Sequence, residues 1–119
     1  KDDETPWCAA YVGSMLERVG IKSTRFESAK SYLNWGVEIS EPAYGCVVVF
    51  NRDGGGHVGF VVGQQQNGDL MVLGGNQSDA INIRAFSRSR VTGYRWPVNV
   101  AKDNRQLPLM TGSLSVSES

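Results

Sequence analysis

The chain has 119 residues, 40% apolar and 20% charged, with 12 basic and 12 acidic side chains and a formal net charge of zero. Such a length and composition fit one globular domain with a core of its own. The neutral balance offers no pull toward nucleic acid or an anionic membrane, and no apolar run is long enough to span a bilayer. Lys1-Asp2-Asp3-Glu4 is acidic and shows no signal-peptide pattern. The two cysteines, Cys8 and Cys46, make neither a disulfide framework nor a Cys-x-x-Cys pair. With the single histidine, His57, they would supply three ligands where a structural zinc site wants four, so no metal and no cofactor is expected.

In chain order, Thr5 reads as an N-cap and Pro6 as the first residue of a helix, where its missing N–H is no loss. Cys8, Val12, Met15, Leu16 and Val19 form an apolar stripe that Gly20 ends. Cys8 thus lies at the N-terminal tip of the buried face. Unpaired N–H groups and the positive end of the helix dipole favour a thiolate there. A small core cysteine is the plainer alternative. Ser28 opens a second short helix, Ala29 to Trp35, which Gly36 stops, with Trp35 lining a substrate groove or, more simply, plugging the core.

After a polar loop over 37–44 the texture changes to strands. Cys46–Phe50 is a continuous β-branched run, typical of a strand buried on both faces. A glycine-rich turn leads to a second strand, His57–Gly63, and a hairpin with Asn67-Gly68 leads to a third, Leu70–Gly75. Ile81–Arg84 and Val91–Trp96 are the fourth and fifth. The expected class is α+β, two N-terminal helices packed on an antiparallel sheet of about five strands. Residues 1–97 form the domain, and 98–119 are a C-terminal extension, partly mobile, with a Ser-rich end.

Strand alternation puts His57, Gly59 and Val61 on one face, and Val58, Phe60 and Val62 on the other. A glycine two residues after the histidine makes room for another backbone or a ligand beside the ring. In the third strand Leu70, Val72, Gly74 and Asn76 share a face, so a polar group again follows a small one. A nucleophile needs a base, and the chain has one candidate pair. Cys8 would be the nucleophile, His57 the general base, and Asn76 the group that orients the ring through its side-chain carbonyl. Attack on an amide carbonyl forms an oxyanion to which the Cys8 N–H can donate. Singly, a histidine at a strand start or an asparagine after two glycines is ordinary structure. The order helix-tip Cys, strand His, strand-end Asn is more specific than any one of them.

Those residues carry a resemblance. Pro6-Trp7-Cys8-Ala9-Ala10-Tyr11-Val12, Gly45-Cys46-Val47-Val48-Val49-Phe50, Gly56-His57-Val58-Gly59-Phe60-Val61 and Leu73-Gly74-Gly75-Asn76-Gln77-Ser78 resemble the CHAP and NlpC-type cell-wall peptidases. Gly93-Tyr94-Arg95-Trp96-Pro97 fits a bacterial and prophage subgroup. The resemblance implies a papain-like fold and hydrolysis of a peptidoglycan amide bond, either N-acetylmuramoyl–L-alanine or a peptide bond within the stem. By motif Cys8 carries over as nucleophile, His57 as base and Asn76 as the polar group downstream, with Trp7, Gly59 and Gln77 as substrate-binding candidates. Action at the cell wall, periplasmic or extracellular, follows from it. So do three settings: phage lysin, remodelling enzyme, or secreted antibacterial effector, the last with an inhibitor or immunity partner. The sequence departs from the family pattern at Gly74, where an acidic residue is common, and at Cys46, where an aspartate is usual. Cys46 is most simply a buried thiol in that place, and a Cys8–Cys46 disulfide that switches the site off is the alternative. Two rival functions stand beside the hydrolase: a silent wall-binding module, and an intracellular thiol hydrolase of a small amide.

Overall fold

The computed structural model describes residues 6–26, 28–52, 55–75 and 81–111. Helix α1, Pro6–Arg18, starts on its proline; Thr5 lies outside the described residues. Cys8, Ala9, Val12 and Leu16 are its buried face, each of the larger ones contributing about 1.5–3 kcal/mol on burial. The stripe expected from sequence breaks at Val19, which is 70% exposed because the helix has already ended. The ending is a Schellman motif: Ile21 N–H donates to the Leu16 carbonyl at 2.9 Å and Gly20 N–H to that of Glu17 at 3.1 Å. Gly20 takes φ +83°, and Ile21 folds back onto the same apolar cluster as Leu16.

The second expected helix is present as a 3₁₀ helix, Ala29–Asn34, which leaves α1 the one α-helix among the described residues. It buries Ala29 and Tyr32 and leaves Trp35 partly buried against the same cluster. There the Trp35 indole N–H donates to the Lys22 carbonyl at 2.8 Å. The strands are β1 Val37–Ile39, β2 Val47–Arg52, β3 Gly55–Gln64, β4 Leu70–Gly75, β5 Ile81–Phe86 and β6 Val91–Trp96. They form one antiparallel sheet in the order β1-β6-β2-β3-β4-β5, six strands instead of about five. The added one, β1, comes from the stretch that reads as a polar loop. Its Val37 is 44% exposed, so burial leaves no periodic signal, and pairing with β6 holds it.

Two apolar clusters lie on the sheet's two faces. α1, the 3₁₀ helix, Val47, Val49 and Val58 make the first; Cys46, Val48, Phe50, Val61, Leu70, Val72 and Trp96 make the second. The sheet curls around the second. Phe50 of β2 and Phe86 of β5 stack with centroids 4.5 Å apart, although their strands are three steps apart in the order. In a flat sheet that separation would be about 14 Å. Register shifts at Val49/Phe50 and Val61/Gly63 add the local twist that such a curl needs. The result is an α+β, papain-like fold, with α1 lying across β3 and β4 on the convex side.

Past β6 the chain returns to the sheet. Gln64 N–H donates to the Pro108 carbonyl and Met110 N–H to the Gln64 carbonyl, both at 2.9 Å, and Leu107 packs on the second cluster. These backbone bonds tie down a segment whose side chains show no regular pattern.

Cys8 and Cys46 are both thiols, neither in a disulfide, and they belong to clusters on opposite faces. Cys46 is thus the buried thiol expected, and its placement speaks against the alternative of a disulfide with Cys8. Burial pushes the Cys46 thiol up to about 11 despite the backbone hydrogen bonds around it. In a Cys8→Ala protein, Cys46 should therefore resist a thiol-alkylating reagent at pH 8 and react as one equivalent after denaturation. Rapid native labelling would contradict its placement.

Glu17 anchors the segment after α1. Its carboxylate accepts from the Arg25 guanidinium at 3.1 and 3.2 Å and from the Ser23 N–H and hydroxyl, both at 2.9 Å. The Arg25 bond, then the two from Ser23, lower it to about 2 from its ordinary value of 4.5. A lowered carboxylate stabilises the fold above its unfolded pKa, and that contribution is lost as pH falls toward about 2. Thermal unfolding of Glu17→Gln should show a lower Tm than wild type at pH 6, the two curves converging near pH 2. A gap that persists at pH 2 would place the effect elsewhere.

Candidate active site

Cys8 sits in the first turn of α1 and is fully buried, with the exposed Trp7 indole (45%) beside it at the helix tip. The sequence forms a helix there because proline opens it and the apolar stripe then fastens it to β3 and β4. His57 is the third residue of β3 and pairs directly with Phe50 of β2, which places both side chains on the concave face. The imidazole lies nearly parallel to two phenyl rings. Its centroid is 6.1 Å from Phe50, tilted by 27°, and 5.2 Å from Phe86, tilted by 16°. Its plane is set by aromatic packing, and each such contact contributes about 0.5–1.5 kcal/mol beyond simple burial.

Within that plane the ring has a definite direction. Nε2 lies 3.6 Å from where a Cβ on Gly74 would stand, and Cε1 lies 3.8 Å from it. Nδ1 is buried away from solvent. The Nε2 edge thus faces the end of β4.

The neighbouring Gly75 faces the other way. A Cβ there would stand 3.0 Å from Tyr11 Cβ and 3.4 Å from the Trp7 carbonyl oxygen. Consecutive residues of β4 therefore border the imidazole on one side and the first turns of α1 on the other. Candidate base and candidate nucleophile are brought to the same end of the sheet, where β3 and α1 both begin.

The remaining sequence candidates divide. Gly59 is buried, and the room left by its missing side chain is taken by β4: a Cβ would meet Val72 Cγ1 at 2.6 Å and the Leu73 carbonyl oxygen at 2.8 Å. Of the two partners foreseen for that glycine, a backbone or a ligand, the structure places the backbone. Asn76 and Gln77 lie outside the described residues. Among the described residues, no group of three or more His, Cys, Asp and Glu side chains could hold a metal ion.

Sequence reasoning missed Phe86 and Asn82. Asn82 pairs directly with Gly74 and is 8% exposed. In Ile81-Asn82-Ile83-Arg84 the alternation reads as a strand with a polar outer face, and only the curl makes that face an interior one. The usable signal was the hairpin register opposite Gly74, which strand pattern alone does not supply.

The CHAP domain family matches residues 1–76, a stretch that includes Cys8, His57 and Asn76. No curated protein and no solved structure gives a significant match. No described helix is long and apolar enough to cross a membrane. A family match over more than half of the chain, with the papain-like α+β fold and the convergence of α1 and His57 on Gly74-Gly75, identifies the chain as a member of the CHAP domain family.

Proposed function

We propose that this domain hydrolyses an amide bond of the peptidoglycan stem peptide through an acyl-enzyme on Cys8. CHAP membership assigns peptidoglycan hydrolysis in general terms. The finer reading rests on one observation above the others: the His57 ring and the first turns of α1 border adjacent residues, Gly74 and Gly75, at one end of β4.

In this reading His57 takes the Cys8 proton, and the thiolate attacks the amide carbonyl carbon. The resulting oxyanion is met at the helix start, where the Cys8 N–H and the positive end of the helix dipole favour it. Collapse breaks the C–N bond, with the amine leaving on the proton that His57 returns. Water, deprotonated by His57, then attacks the thioester and releases the carboxylate and the thiol. By motif Asn76 orients the ring, and the exposed Trp7 beside the thiol is the candidate for gripping the substrate. The bond is N-acetylmuramoyl–L-alanine or one within the stem peptide, and the place of action is the cell wall.

Purified sacculi incubated with the protein should be solubilised, with new termini in the mass spectrum that name the bond. Cys8→Ala and His57→Ala should each reduce release by at least about a thousandfold. Full hydrolysis by Cys8→Ala would refute the mechanism. Binding of sacculi by wild type without release of fragments would identify a binding module in place of an enzyme.

A further inference from the structure

We infer that the groove between α1 and residues 23–26 is a saccharide subsite, which seats one N-acetylhexosamine of the glycan strand beside the nucleophile. Its role in catalysis rests on the hydrolase reading; its content rests on the groove itself. The cavity measures about 370 Å³, within the range of small-molecule sites. One wall is the face of α1 that carries Ala9, Ala10, Gly13 and Ser14, all small, so the helix is nearly bare there. From Ala9 to Glu17 the groove runs about 12 Å along the helix, and its head is the residue next to Cys8.

The opposite wall is held in place. Arg25 takes φ +63°, a left-handed conformation that a residue with a Cβ seldom adopts. Its N–H donates to Ser23 Oγ at 3.1 Å, while its guanidinium and Ser23 share the Glu17 carboxylate. The Phe26 N–H donates to Thr24 Oγ1 at 3.1 Å, and that hydroxyl lies 2.8 Å from Ser31 Oγ. This turn leaves the Phe26 ring at the groove 69% exposed, although an apolar ring gains by burial. An aromatic ring and a flat wall of small residues offer the apolar face of a pyranose something to pack against.

The groove also holds an unpaired polar group. The Tyr32 hydroxyl is buried and has no hydrogen-bond partner. It lies 3.3 Å from where a Gly13 Cβ would stand, with Ser23 Oγ 3.4 Å from the same point. A buried hydroxyl left unpaired costs stability, and a ligand hydroxyl or acetamido group at Gly13 supplies the missing partner. Charge selects the class of ligand. Arg25, the one cation among the described lining residues, already donates to both oxygens of Glu17. A neutralised cation disfavours the carboxylates of a stem peptide and leaves a neutral, hydroxyl-bearing ring as the fitting occupant.

Reach then selects the bond. In a muramoyl amide the acyl carbon is separated from the sugar ring by an ether oxygen and one lactyl carbon. Each bond within the stem lies at least one residue further on, about 3.3–3.6 Å per residue. The Cα atoms of Cys8 and Ala9 are about 3.8 Å apart, so a sugar at the head of the groove brings the nearer carbonyl to the thiol. Of the two bonds considered above, N-acetylmuramoyl–L-alanine is therefore the one cut. The lactyl carbonyl carbon forms the thioester, its C–N bond breaks, and L-alanine leaves as the amine on the proton from His57. Water then releases the lactyl carboxylate.

The test titrates the Cys8→Ala protein with tri-N-acetylchitotriose. ¹H–¹⁵N spectra should show saturable shifts at Ala10, Gly13, Ser14, Arg25 and Phe26. Phe26→Ala should raise Kd about tenfold. Tyr32→Phe should raise it several-fold with no loss of Tm, since only the unpaired hydroxyl is removed. With Cys8 in place, both variants should raise KM for a soluble disaccharide–peptide with little change in kcat. The new termini should be a lactyl carboxylate and an L-alanine amine.

Shifts confined to other surfaces would overturn the inference, and so would groove shifts produced by a sugar-free stem tetrapeptide and not by chitotriose. An unchanged Kd in both variants, a Tm lowered by Tyr32→Phe, or cleavage within the stem would also count against it. Saccharide binding in the groove of a protein that leaves sacculi intact would sustain the subsite and refute the hydrolase reading. Hydrolysis without saccharide binding would do the reverse.

Discussion

Where the Phe50 and Phe86 rings stack across the concave face, the sheet has bent far enough to bring β2 and β5 into contact. Much of what gives His57 its chemical setting depends on that bend. A flat sheet would leave the imidazole on an open surface beside Phe50 alone, free to turn about its side-chain torsions. The curl adds a second aromatic wall and turns the polar edge of β5 inward. Ring plane, ring direction and the burial of Nδ1 are therefore consequences of sheet curvature as much as of any residue beside the histidine.

The curvature has a local requirement at the β3–β4 seam. Gly59 lets Val72 and the Leu73 carbonyl come closer than any Cβ would allow, and a register shift after Val61 adds twist to the same pair. On the convex side Gly75 does the equivalent for α1, letting the Trp7–Tyr11 turn lie almost on the strand backbone. Small residues here set the distances between elements, and those distances decide which functional groups can meet.

Much of this was legible beforehand. Helix α1 announced itself by proline, stripe and glycine, and the strand core by its β-branched run and hairpin turns. The faces of β3 and β4 followed from alternation, with Val58 and Phe60 toward α1 and Val61, Leu70 and Val72 away from it. Illegible were the elements held by backbone bonds and not by apolar patterning, namely β1 and the Pro108–Met110 return to Gln64. Within the site, Cys8 and His57 could be nominated by residue type and order. Asn82 could not, because its meaning depends on register and curvature, which arise only when β4 and β5 pair and the sheet closes on itself.

The two glycines that end β4 differ in what they permit, and this bears on the routes by which such a site can change. A side chain at position 75 would press on the first turns of α1, with Tyr11 Cβ 3.0 Å from the new atom, so the helix would have to give way to admit it. Position 74 is open, its nearest neighbours at ordinary contact distances. An acceptor for the histidine could thus be placed on β4, at the Cβ position beside Nε2, without the fold being rebuilt, whereas the same change one residue on would have to move α1.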